Sequence, residues 1–191
     1  MKPFILASQS PRRKQLLEQV NLSFSIEASQ VEEVIRNEST PEDIVISLAR
    51  QKAEDVFFRN KNSVVLGSDT IVVIDGEVLG KPENEAMARH MLQRLSGRTH
   101  HVYTGVYMIS EEQAEGFFVR SEVEFYTLTN EEIDTYIATG DPFDKAGSYG
   151  IQGVGAILVK KINGDFFAIM GLPIAKVVRA LKKFHINVDH S

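Results

Sequence analysis

The chain has 191 residues, of which 43% are apolar and 25% charged, an ordinary globular composition that leaves little room for disorder beyond the last few residues. With no cysteine it has no disulfide framework and no thiolate nucleophile, so any metal must be held by carboxylate oxygens or histidine. A net charge of −5 argues against broad contact with a nucleic-acid backbone, which needs a basic face, so a polyanion must be met by a local basic cluster.

The length suits one domain with a real core, or two lobes sharing one sheet, and one folding unit is expected. Only the four apolar residues Phe4 to Ala7 separate Pro3 from Ser8, too short a run for a signal-peptide core. The longest apolar run, Phe166 to Ala175, is broken by Gly171 and Pro173, so no bilayer span is expected. A cytosolic address fits these features.

Phe4 to Ala7 reads as a short buried strand. Ser10 then caps a helix that has Pro11 at its first position and Leu16, Leu17 and Val20 on its apolar side. Arg12, Arg13 and Lys14 crowd the first turn of this helix, where the dipole favours negative charge. Such a turn is either solvated or arranged for a ligand with several negative charges, which the free N–H groups at the same end also favour. Phe24 to Ala28 alternates like a strand with one wet face, and Glu32 and Glu33 follow in a polar loop as surface residues.

Thr40-Pro41-Glu42-Asp43 opens a helix that runs to about Phe58. Its apolar face holds Val45, Leu48, Ala49, Ala53 and Val56, with Arg50, Gln51 and Glu54 opposite. Lys52 falls within the apolar arc; it either snorkels to the rim or delivers its charge into a cleft.

Val64 to Pro82 is the stretch around which the chain is organised. β-Branched runs flank Asp75-Gly76, a hairpin signal. A two-residue turn pairs Thr70 with Lys81, whereas a three-residue loop over Ile74-Asp75-Gly76 sets Asp69 opposite Lys81. The second register is expected, and it places an acid and a base at one strand end. A surface ion pair closing the hairpin is the plainer alternative.

Helices are expected over Asn84 to Leu95, stopping at Ser96-Gly97, and from a Thr129 or Asn130 cap to about Ala138. Strands are expected over Arg98 to Ile109 and Phe117 to Leu128. The adjacent His100 and His101 face opposite ways in a strand and do not share a metal. Asp141 to Gly155 reads as an ordered, functional loop with no phosphate-loop pattern. Ala156 to Ile162 and Asp165 to Ile169 flank Asn163-Gly164 as a hairpin, and Pro173 to Phe184 forms a last amphipathic helix.

Five strings in order, SQSPRR (Ser8 to Arg13), GSDTIV (Gly67 to Val72), GKP (Gly80 to Pro82), SGRTHHVYTG (Ser96 to Gly105) and AGSYGIQG (Ala146 to Gly153), resemble the Maf family of nucleoside triphosphate pyrophosphatases over nearly the whole chain. The resemblance implies a single Maf-like domain over residues 1–191, a mixed, twisted central sheet flanked by helices, and two lobes with a cleft between them. It also implies hydrolysis of a nucleoside triphosphate to monophosphate and pyrophosphate, dependent on a divalent cation such as Mg²⁺ or Mn²⁺. The family's proton acceptor falls on Asp69, and Arg12, Thr70 and Gln152 occupy the positions that separate base preferences. Their combination resembles the dTTP and UTP pyrophosphatases rather than the 7-methyl-GTP group, with modified pyrimidine nucleotides as further candidates.

A glutamine amide suits thymine or uracil, offering a donor to O4 and an acceptor to N3–H. Joining residues and resemblance, Asp69 and Glu33 would hold or deprotonate a metal-associated water attacking the α-phosphorus, while Arg13, Lys52 and Lys81 stabilise the triphosphate charge. Ser8, Arg12, Arg13, Thr70 and Gln152 form the substrate-binding set. This geometry requires the Asp69 carboxylate to share a crevice with Arg13, Lys52 and Lys81.

The resemblance further suggests a homodimer. The family name derives from effects on septum formation, so the competing class is a nucleotide-sensing regulator of cell division without turnover. A stable nucleic-acid partner is not expected, because one basic turn offers too few phosphate contacts.

Overall fold

The computed structural model describes residues 2–35 and 40–188. In chain order the elements are β1 (Phe4–Leu6), α1 (Pro11–Gln19), β2 (Ser25–Ile26), α2 (Pro41–Arg59), β3 (Val64–Ile74), β4 (Glu77–Leu79), α3 (Glu85–Leu95), β5 (Thr99–Ile109) and β6 (Ala114–Phe125). They continue with α4 (Asn130–Ala138), β7 (Val159–Asn163), α5 (Phe166–Met170) and α6 (Ile174–Leu181). Short 3₁₀ turns fill the stretch between α4 and β7. The result is the expected mixed α/β class, a central sheet with flanking helices. Strands hydrogen-bond in the order β2-β1-β3-β5-β6-β7, with β4 on β3. β1 runs parallel to β2 and β3, while β3–β4 and β6–β7 are antiparallel.

The helices start where short polar side chains can replace missing backbone partners. The Ser10, Thr40 and Asn84 side chains accept from the N–H groups of Arg13, Asp43 and Met87. Thr129 and Glu132 form a reciprocal capping box on α4. α2 also carries Glu42 and Asp43 in its first turn and Arg59 in its last, matching its dipole at both ends.

Chain contacts divide the protein into two compact units. The first comprises residues 1–69, 104–119 and 171–191. Its apolar cluster joins Ile5, Ala7 and Val65 of the sheet region to Ala53, Val56 and Phe57 of α2. The second comprises residues 70–103 and 120–170 and has a larger core that includes Val72, Leu92, Phe125, Tyr136 and Leu158.

Two local expectations need correction. The β3–β4 ladder pairs Val72 with Leu79, Val73 with Val78 and Ile74 with Glu77, so the connection is a two-residue turn. Asp75 (φ 54°) and Gly76 (φ 79°) are both left-handed, the type I′ arrangement whose twist matches that of the flanking strands. Continued outward, this register aligns Lys81 with Thr70, not with Asp69.

The second correction is at Asp165 to Ile169, which does not form the returning strand of a hairpin. Residues Phe166 to Met170 are helical. Asp165 starts that helix because its Oδ1 accepts from the N–H groups of Phe167 at 2.8 Å and Ala168 at 3.2 Å. β7 pairs instead with β6. The strand expected over Phe24 to Ala28 shortens to Ser25–Ile26, and that over Phe117 to Leu128 slides to Ala114–Phe125.

Candidate active site

The first unit gathers a set of charges around one end of its part of β3. Asp69 is the last β3 residue in this unit and is buried. α2 can approach the strand closely because Gly67 has no side chain. A Cβ there would lie 2.2 Å from the Ala49 carbonyl oxygen and 2.8 Å from the Ala53 nitrogen. Gly105 does the same on β5, where a Cβ would meet the Val45 carbonyl oxygen at 2.2 Å. Two strand glycines thus set the distance from helix to sheet, and Lys52 crosses it.

Lys52 Nζ sits 2.5 Å from Asp69 Oδ1 and 3.0 Å from Glu33 Oε1. The side chains of Lys52 and Asp69 are only 14% and 13% exposed, whereas that of Glu33 is 48% exposed, so the cluster is dry on one side and open on the other. A cation and a carboxylate paired at this depth interact more strongly than a surface pair. Of the alternatives open for Lys52, the structure shows the charge delivered to Asp69.

Arg13 joins the cluster from α1. Its Nε donates to the Gly171 carbonyl at 2.8 Å and its Nη1 to Ser8 Oγ at 3.2 Å, while Ser8 Oγ also accepts the Ser10 N–H at 3.1 Å. Burial lowers the guanidinium pKa; the nearby Asp69 opposes that shift and Arg12 reinforces it. An arginine so placed remains a cation. Ser68 Oγ lies 2.9 Å from the Gly105 carbonyl and 3.0 Å from that of Gly171, tying β3, β5 and the chain before α6 together beneath Asp69. Gly67, Ser68, Gly105 and Gly171 were not singled out as site-building residues from the sequence. The signal was a glycine interrupting an apolar strand, which marks close backbone approach.

Arg12 is half-buried next to Arg13 in the first unit. Thr70, Lys81 and Gln152 belong to the second unit. Thr70 follows Asp69 on β3 and is half-buried; Lys81 is exposed just past β4. Gln152 is half-buried immediately before the 3₁₀ turn Gly153–Leu158. The observed ladder removes the Asp69–Lys81 pairing, so Asp69 has Lys52 as its lysine partner.

The loop that carries Gln152 is held within the second unit by buried aromatic groups. His100, fully buried, brings Nε2 to 2.7 Å from the Tyr149 hydroxyl, and Phe125 packs edge-on against both rings. The Tyr136 hydroxyl accepts the Gly150 N–H at 3.1 Å and donates to Asp141 at 2.6 Å. Gly147 sits at φ +68°, and a Cβ there would touch Val72 at 2.9 Å. His101 faces away from His100, with Nε2 3.5 Å from Glu122, so the two rings do not share a ligand.

Among the described residues no group of three or more His, Asp or Glu forms a preformed metal cage. Asp69 and Glu33 nevertheless both reach the single ammonium of Lys52, so two carboxylates can converge on one small cation. Mg²⁺ and Mn²⁺ suit that donor set, because Mg²⁺ is usually bound through one or two carboxylates with water and substrate phosphates completing its shell. These residues fit such an ion.

A mixed α/β protein with a half-open pair of carboxylates, a half-buried lysine and a half-buried arginine has cations and acids of the kind a site for an anionic substrate requires. The family model described as Maf-like protein matches residues 3–184, and the chain belongs to that family. It is 56% identical over 191 residues to proteins named dTTP/UTP pyrophosphatase from Bacillus cereus, Bacillus cytotoxicus and Bacillus mycoides, with 100% of each chain covered. A solved structure of the Ham1 protein of Staphylococcus aureus overlaps 65% of this chain and 72% of its own at 16% identity and a TM-score of 0.48.

Proposed function

We propose that this protein is a nucleoside triphosphate pyrophosphatase that hydrolyses dTTP and UTP to the monophosphate and pyrophosphate. The observation that carries the reading is the Asp69–Lys52–Glu33 cluster beside Arg13. Identity of 56% over full length to relatives named for this activity supports it.

In the reaction, water attacks the α-phosphorus and the bond from that phosphorus to the α–β bridging oxygen breaks. The electron pair leaves with pyrophosphate; Asp69 either takes the water's proton or, with Glu33, holds the cation associated with that water. A divalent cation held by Asp69 and Glu33 would neutralise phosphate charge and acidify the attacking water. Lys52, 2.5 Å from Asp69 Oδ1, orients that carboxylate. Arg13 is fixed through Nε and Nη1 by Gly171 and Ser8, so it meets developing negative charge with little reorganisation.

Lys81 is assigned to the triphosphate by its charge, and the family resemblance gives Arg12, Thr70 and Gln152 the choice of base. The Gln152 amide would pair with O4 and N3–H of thymine or uracil, and cytosine reverses both partners. A site with polar groups left unpaired can reject the wrong base by about 10⁴-fold. A cytoplasmic address, which the cysteine-free sequence fits, and a homodimer, which rests on the resemblance, complete the proposal. Sedimentation velocity tests the dimer.

The decisive assay measures pyrophosphate release from dTTP with Mg²⁺ by wild type and Asp69→Asn, with folding checked by circular dichroism. Removing a positioned base lowers turnover by about 10²- to 10⁴-fold. Turnover close to wild type in a folded Asp69→Asn protein would reject the mechanism.

A further inference from the structure

Glu33 lies in a segment whose backbone support ends at its start, where the Glu27 N–H donates to the Leu6 carbonyl at 3.1 Å. Residues 27–35 contain neither helix nor strand, and residues 30–35 are exposed, so no ladder of hydrogen bonds holds this stretch in place. α2 holds it instead, through side chains. Asp55 Oδ2 accepts from the Ser29 hydroxyl at 3.0 Å and from the Gln30 N–H at 2.8 Å. One helical turn earlier, Gln51 Oε1 accepts the Val34 N–H at 3.0 Å and Gln51 Nε2 donates to the Val34 carbonyl at 2.8 Å.

A primary amide presents donor and acceptor in one plane, as a peptide group does. Gln51 therefore gives Val34 the two-bond exchange that a paired residue in an antiparallel strand would give. Its Nε2 also lies 3.3 Å from Ser47 Oγ, which braces the amide against its own helix. The neighbours of this pair make the catalytic contact: Lys52, next on the helix, reaches Glu33, next on the segment, at 3.0 Å. Asp55 and Gln51, four residues apart on one helix face, anchor Gln30 and Val34 on either side of Glu33.

We propose that Gln51 is a positioning residue that presents Glu33 to the reaction by standing in for a missing β-strand partner, with Asp55 as the second anchor. The inference rests on the reading above in which Glu33 acts with Asp69. Gln51 touches no reacting atom in this scheme. It acts only through the backbone of Val34, and its loss frees a carboxylate that must otherwise be ordered at each turnover.

The test is a double-mutant cycle in kcat/KM for dTTP, using Gln51→Ala in the wild-type and Glu33→Gln backgrounds, together with amide hydrogen exchange at Val34 in the ligand-free protein. Gln51→Ala is expected to lower kcat/KM by about ten-fold, the scale of two modest hydrogen bonds, with little change in melting temperature. In the Glu33→Gln background the same substitution is expected to cost nothing further, because the group it positions is already gone. Val34 exchange should quicken, and Gln51→Glu, which keeps the acceptor and loses the donor, should fall between wild type and Gln51→Ala. Equal losses in both backgrounds, or unaltered Val34 exchange, would overturn the proposal while leaving the role of Glu33 intact. If Glu33→Gln alone costs nothing, the role of Glu33 falls and takes this proposal with it.

Discussion

His100 has none of its surface exposed, and burial holds its pKa down from 6.5 to about 3. Its Nε2 meets Tyr149, and its Nδ1 has no hydrogen-bond partner among the described residues. A neutral imidazole tolerates this; an imidazolium would leave a charged donor buried and unmet. The sign of the resulting pH dependence follows. The unfolded chain takes up a proton near pH 6.5 while the folded one does not until about pH 3. Stability is therefore full above pH 6.5 and is lost at about 1.4 kcal/mol per pH unit as pH falls toward 3. His100→Gln keeps a polar group near the Tyr149 hydroxyl and removes the titration. Urea unfolding at pH 7 and pH 5 is expected to show wild type losing about 2 kcal/mol more than the variant between the two conditions. Parallel losses would mean that other groups set the acid sensitivity. The opposite facing of His100 and His101 was legible from strand alternation, but the burial of His100 against Tyr149 was not. That contact joins residues 49 positions apart, and no local pattern encodes it.

Elements whose ends are set by their own side chains were readable. α1, α2, α3 and α4 begin at the polar caps their sequences advertise. Elements set by competition between local options were not. Asp75-Gly76 suits either a two-residue or a three-residue connection, and the choice fell to the strand twist that both φ > 0 residues satisfy. Phe166 to Met170 has β-forming aromatics, yet Asp165 captures two N–H groups and makes the segment helical. The candidate site shows the same division. Asp69, Lys52 and Arg13 stood out by residue type, whereas the helix-to-strand distance that joins Lys52 to Asp69 depends on hydrogen atoms at Gly67 and Gly105. Gly67→Ala is the test at this scale. Its Cβ must displace the Ala49 carbonyl and Ala53 nitrogen, both helix backbone, so α2 has to move outward. Overpacking of this kind typically costs about 1–3 kcal/mol. The added separation should also lower turnover, beyond the loss explained by the unfolded fraction. A variant as stable as wild type in thermal melts would show that the helix can yield without cost.

At the scale of the whole molecule, the question is whether two compact units imply two unfolding events. The chain passes between them at Asp69/Thr70, Tyr103/Thr104, Val119/Arg120 and Met170/Gly171; the first three points lie inside strands, in β3, β5 and β6 respectively, and the fourth lies at the end of α5. A separable pair of domains is joined through exposed linkers rich in proline, glycine or polar residues. Two of these crossings are buried strand interior instead: Ser68 and Asp69 before one, Tyr103 and Thr104 across another. Neither unit can lose its part of β3 or β5 without fraying the strand that continues into the other. The expected outcome is one cooperative transition, with calorimetric and van't Hoff enthalpies equal and with far-UV circular dichroism and tyrosine fluorescence changing together. Tyrosine is the appropriate reporter because the chain has no tryptophan, and Tyr136 and Tyr149 both lie in the core of the second unit. The two units can then be followed separately by amide hydrogen exchange, at Val56 of α2 for the first and at Leu92 of α3 for the second. Equal opening free energies would make the chain one thermodynamic unit. Different ones would mean that the units unfold independently and that strand continuity does not couple them.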